Sequence, residues 1–224
     1  MAYAGLPVKA VGDTITKPNW DTIKANFEAC GVAIVTTKGD IVAATGAQVL
    51  ARLGVGAEGS TLVPDAGEAT GLAWQTQPTC RAYNDADLDP AVSAWWTVTL
   101  NSERWDTDGM HSTLANTDRL TVPAGGAGLY GLDGCALFDT SAVGGDTRYY
   151  GIRVLLNGAT VIKQYGPAEH TMNTHDMALV ISEQYSLAVA DYVSMQVFTT
   201  WDLDILSAGN YSPEFSATWL RRAP

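Results

Sequence analysis

The chain has 224 residues, 46% of them hydrophobic, and sets 13 Lys+Arg against 24 Asp+Glu for a formal net charge of −11. An acidic balance of that size repels phosphate backbones and anionic headgroups, which excludes nucleic acid as a partner class. Met1 to Asp13 lacks a basic region followed by an apolar run, and no stretch reaches the roughly 18 apolar residues of a bilayer span, so the chain is expected to be soluble, unsecreted and without membrane insertion.

The first predicted element is a helix. Thr16-Lys17-Pro18-Asn19 carries helix-start chemistry, and Trp20, Ile23 and Phe27 follow at spacings of three and four, on one helical face, before Gly31 stops the run. One and a half turns are marginal in water without a packing partner. The face therefore docks on another protein or on the base of its own β-domain, and residues 1–36 are read as an attachment segment.

Residues 37–78 have another texture. Thr37 to Gly46, Ala51 to Gly56 and Ala69 to Trp74 alternate short apolar pairs with Gly, Thr and Ala, a pattern for brief strands and turns that bury no core alone. Lys38-Gly39-Asp40, then Ala51-Arg52-Leu53-Gly54-Val55-Gly56, then Ala69-Thr70-Gly71-Leu72 closing on Trp74 resembles a module found near the N-termini of bacteriophage tail fibres, head fibres and small virion proteins. The Trp20-to-Phe27 element is similar to an N-terminal helix of phage structural proteins.

Gln75 to Pro78 reads as a linker, and residues 79–224 as a β-domain. Expected strands are Ala94–Leu100, Arg119–Val122, Leu129–Phe138, Tyr149–Leu156, Thr160–Gln164, Ala178–Leu187, Tyr192–Thr200 and Glu214–Leu220. Tyr150, Ile152, Val154 and Leu156 share one sheet face by their period of two, as do Val193, Met195 and Val197. Asn157-Gly158 marks a two-residue hairpin. The opposite faces carry Tyr149, Leu155, Tyr192 and Phe198, apolar enough to predict a subunit seam.

Trp105-Asp106-Thr107-Asp108-Gly109, Arg119-Leu120-Thr121-Val122-Pro123, Gly128-Leu129-Tyr130 and Phe215 to Leu220 follow in an order that resembles the C1q and tumour-necrosis-factor family. The resemblance covers about the last two-thirds of the chain. It implies an all-β jelly-roll sandwich that assembles as a homotrimer.

No catalytic constellation is legible. His170 and His175 are too far apart for a helical metal pair, and Asp106 and Asp108 lack the further ligands of a calcium loop, so turn chemistry is the expected role. Asp85, Asp87 and Asp89 read as one solvated turn rather than as a glycosidase pair. Cys30, Cys80 and Cys135 are unpaired and widely spaced, which reads as small buried hydrophobes in a protein made in a reducing cytoplasm. Trp95, Trp105 and Trp201 sit near strand ends, where an indole stacks on sugar, packs in the core or lies in a seam.

The two resemblances together imply a non-enzymatic structural protein of a bacteriophage virion: a short trimeric fibre, spike or decoration on head or tail, without cofactor or metal. It would be made in the host cytoplasm and displayed on the virion surface. Trp20, Ile23 and Phe27 would attach it to capsid or tail proteins, and its outward domain would contact host polysaccharide. The alternatives are a free-standing C1q-like ligand-binding module and, third, a glycan-degrading enzyme.

Overall fold

A computed structural model describes residues 17–29, 34–47, 49–140, 147–171, 176–202, 205–207 and 211–222. Cys30, Gly31 and His175, and the side chain of Phe27, lie outside the described set. The chain divides into two compact units, Met1–Thr76 and Gln77–Pro224.

In the first unit, helix α1 spans Lys17–Ala29 and is longer than the Trp20-to-Phe27 run that the apolar spacing marks. Pro18 occupies the first turn, where its missing N–H is no loss. Lys17 pairs with Asp21 at 2.9 Å one turn on, and the Thr22 hydroxyl donates to the Pro18 carbonyl. Two antiparallel hairpins follow: β1 (Ile41–Gly46) with β2 (Val49–Leu53), and β3 (Thr61–Pro64) with β4 (Leu72–Gln75). Among the described residues of this unit, Ala43 is the one buried apolar side chain.

The second unit is an antiparallel sandwich of jelly-roll type. One sheet orders β11 (Thr160–Thr171), β10 (Thr147–Leu156), β13 (Tyr192–Thr199) and β6 (Ala94–Thr97), with β8 (Leu120–Thr121) also paired to β13. The other orders β12 (Met177–Leu187), β9 (Gly128–Phe138), β14 (Glu214–Arg221), β5 (Thr79–Tyr83) and β7 (Ser102–Asp106). Strict alternation builds the core between them. Tyr130, Leu132, Ala136 and Phe138 of β9 face Ile152, Val154, Met195 and Val197 of the opposite sheet. Gly134 completes the β9 row without a side chain, because a Cβ there would lie 2.5 Å from the Met195 sulfur.

Asn157-Gly158 makes the expected turn between β10 and β11. Both residues adopt positive φ, 51° and 70°, and the Ala159 N–H closes the turn on the Leu156 carbonyl. Ala94–Leu100 is not one strand: β6 stops at Thr97, although Val98 and Leu100 stay buried. Strand β11 runs well past the expected Gln164 end, held to β10 by pairs as far as Thr147 with Thr171.

Candidate functional site

In the N-terminal unit the motif residues hold one another. Gly39 turns the chain at φ +90°, which brings Asp40 back onto the preceding backbone. Asp40 Oδ2 accepts the N–H groups of Thr36 and Thr37 at 2.9 and 2.7 Å and pairs with Arg52 at 3.3 Å, while Arg52 also donates to the Thr36 hydroxyl. The Thr36 N–H, then that of Thr37 and the Arg52 guanidinium, hold the Asp40 carboxyl below its ordinary range against the opposing effect of burial. Trp74 lies over Gly56, where a Cβ would stand 2.5 Å from the indole, and donates Nε1–H to the Gly54 carbonyl at 2.7 Å. These polar locks fix the hairpins but leave Val42, Val49, Leu50 and Val55 exposed, and Trp20 is 60% exposed. Ile23 is partly buried.

The second feature is a groove of about 730 Å³ on the outer face of the β12-β9-β14-β5-β7 sheet, lined by Arg81, Trp105, Asp133, Val180, Ser182 and Glu214 among others. A register shift beside Arg81 lets consecutive residues of β7 reach outer-face partners: Trp105 opposite Arg81, and Arg104 onto Glu214. Glu214, 8% exposed, accepts from Arg104 at 2.9 and 3.0 Å and from Arg81 on its other oxygen. Arg81 lies near the Trp105 ring and Arg104 over that of Tyr83, 5.7 and 4.0 Å from the centroids. Cys135, also in the lining, has its thiol pushed up by burial, which suits packing rather than nucleophilic chemistry. Burial raises the Cys80 thiol as well.

The three tryptophans considered for sugar do not converge. Trp95 is on the first sheet, packed at a tilt against Phe198 with ring centroids 5.6 Å apart, beneath Arg153 at 4.3 Å, and spread over Gly151, so its ring is committed to its own chain. Trp105 is 44% exposed at the groove, with its indole N–H on the Thr79 hydroxyl at 3.2 Å. Trp201 follows β13 and is 38% exposed.

Leu155 needs a correction as a seam residue. It is 3% exposed within the single chain, so no subunit is required to cover it. Tyr192 and Phe198 are partly covered, by Arg119 at 4.4 Å and by Trp95 respectively, which leaves Tyr149, at 42%, as the exposed member of the four. Sequence reasoning passed over Val180 (71%) and Leu220 (44%), exposed apolar residues of the second sheet. Their signal was present: both stand at outward positions in rows whose inward neighbours are apolar.

Asp106 takes the N–H groups of Asp108, Met110 and His111, which is turn chemistry. His111 is enclosed, with Nδ1 2.9 Å from Glu103. Asp85 and Asp87 brace loops, bonding Asn101 and the Ser207 N–H.

Strand order and core define the second unit as a jelly-roll sandwich of two antiparallel sheets. Among solved structures, the chain is similar to murine APRIL at pH 5.0 (11% identity, TM-score 0.45, covering 65% of this chain and 100% of that one). It is also similar to the globular domain of zebrafish complement 1qA protein (14% identity, TM-score 0.44, covering 65% of this chain and 99% of that one). No family model matches the chain, and no curated protein matches it.

Proposed function

We propose that the protein is a structural component of a bacteriophage virion: a short homotrimeric fibre, spike or decoration, held on the particle by its N-terminal unit and presenting its sandwich outward. One observation carries this reading. The N-terminal unit buries a single described apolar side chain, Ala43, while exposing Trp20, Val42, Val49, Leu50 and Val55. A helix and two-stranded hairpins with so little core are completed by a neighbour. The Lys38-Gly39-Asp40 and Ala51-to-Gly56 motifs, which resemble those of phage virion proteins, are the residues that lock these hairpins, which supports the same reading. Exposed Val180 and Leu220 supply apolar surface for the trimer.

The outward role is adhesive rather than catalytic. The groove's two carboxylates include Glu214, both of whose oxygens are occupied by arginines. Weak contact of Trp105 with host polysaccharide gains strength across many copies, by about 10²–10⁴ for linked sites. The test is labelling of intact particles with antibody to the protein, beside incorporation of a truncated chain that begins at Gln77, the start of the second unit. Labelled particles that reject the truncated chain support the reading. Absence of the protein from particles overturns it, and equal incorporation moves the attachment site to the sandwich. The groove favours one second reading, a free-standing ligand-binding module, which the same labelling separates.

A further inference from the structure

The groove on the second sheet is built along one transverse row. Register pairs Ser182 of β12 with Asp133 of β9, Asp133 with Ser216 of β14, Ser216 with Arg81 of β5, and Arg81 with Trp105 of β7, and all five line the groove. The short serines floor it between taller side chains, Arg81 and Trp105 toward one edge of the sheet and Val180 at the other. Asp133 is exposed, and among the described residues no hydrogen bond or ion pair engages its carboxylate. Glu214 differs, with both oxygens on arginines, and Arg81 spends its Nε and Nη2 there. The row therefore offers one uncommitted carboxylate, two hydroxyls and an indole that is 44% exposed.

We propose that this row binds a neutral oligosaccharide laid across the strands, one ring on Trp105 and neighbouring hydroxyls of another on Asp133; the assignment rests on the adhesive reading above and specifies its ligand. An indole takes the C–H face of a sugar ring, and an ionised carboxylate only accepts, so it selects a ligand rich in donors. Two adjacent hydroxyls donate to its two oxygens side by side, in charge-assisted bonds. Within the lining Asp133 and Glu214 outnumber Arg81, so an acidic sugar meets repulsion. An amine gains little in exchange, because an ion pair in an open groove is hydrated and screened. Span sets the size: three strand spacings separate Trp105 from Asp133, roughly 14 Å, which exceeds one sugar ring. A neighbouring copy on Val180 closes the β12 end, while β7 is the opposite edge of the sheet, where entry stays open beside Trp105.

The test titrates the full-length protein by calorimetry with maltotriose, cellotriose and mannotriose, with glucose, trigalacturonate and the chitosan trimer as references. Saturable binding of at least one neutral trisaccharide is expected, tighter than that of glucose or of either charged trimer. Asp133→Asn, which makes the acceptor neutral, should weaken it about tenfold. Trp105→Ala, which removes the stacking plate, should weaken it by about as much. Val161→Ser, exposed on the other sheet, should leave it unchanged. No saturable binding of any neutral trisaccharide overturns the site, as does binding undiminished in both groove variants. Tighter binding of either charged trimer overturns the class, and equal binding of glucose overturns the span. Adhesion is measured apart, as attachment of the labelled protein to host cells. Undiminished attachment of both variants keeps the adhesive reading and removes the groove from it; trisaccharide binding without attachment does the reverse. Should Trp105→Ala fail to fold, Asp133→Asn decides.

Discussion

Trp74 and Gly56, eighteen positions apart, meet face to ring: the indole lies where a Cβ on Gly56 would be, 2.5 Å from its nearest atom. The Nε1–H then reaches the Gly54 carbonyl at 2.7 Å. That contact accounts for Gly56 and for the tryptophan that closes the module.

Gly56→Ala should therefore expel the Trp74 ring while leaving the sandwich intact. Overpacking of this kind costs about 1–3 kcal/mol. Limited proteolysis should show faster cleavage within residues 37–76 and an unchanged fragment from Gln77 onward; unchanged cleavage would disprove the contact's importance.

Asp40 makes the same unit acid-sensitive. Its folded carboxyl titrates below the ordinary value of 3.8, through the N–H groups of Thr36 and Thr37 and the charge of Arg52. The stabilisation is complete above that ordinary value and is lost as pH falls through the lowered folded value. The Thr36 and Thr37 amide resonances should titrate with a midpoint below 3.8, and Asp40→Asn should abolish the transition.

Glu214→Gln leaves Arg81 and Arg104 facing one another without the shared carboxylate. Because both arginines are partly solvated, the loss should fall below that of a fully buried pair, about 1–3 kcal/mol in urea unfolding. Added salt should narrow the gap between variant and parent by screening the arginine repulsion. A gap that widens with salt would count against the geometry.

Two charge substitutions separate packing from assembly. Val180→Asp, at a side chain 71% exposed, should give folded protein of lower mass in light scattering, with a nearly unchanged thermal midpoint for the protomer. Phe198→Asp should instead lower the midpoint, since Phe198 packs against the Trp95 ring at 5.6 Å between centroids. The reverse pattern would return the seam to the first sheet.

The legible parts of the fold were those with clean alternation. Strands β9, β10, β12, β13 and β14 stand within two residues of the bounds their apolar period predicts, because one-sided burial writes that period into sequence. Strands β5 and β7 were missed for the converse reason: Arg81 and Arg104 face outward onto Glu214, so Thr79–Tyr83 and Ser102–Asp106 lack a clean apolar alternation. The groove was illegible because it draws on six strands far apart in the chain. Leu155 misled because outward alternation was equated with exposure, and Arg148 was overlooked because arginine is rarely enclosed.

Trp105, Arg81, Glu214, Arg104 and Tyr83 form an unbroken file of ring, cation, anion, cation and ring across three strands. Long arginine side chains ordinarily surrender much rotamer freedom when a partner immobilises them. Here that freedom is already spent within the chain, so a molecule settling on this face meets a relief cast in advance, and slower dissociation is the expected consequence.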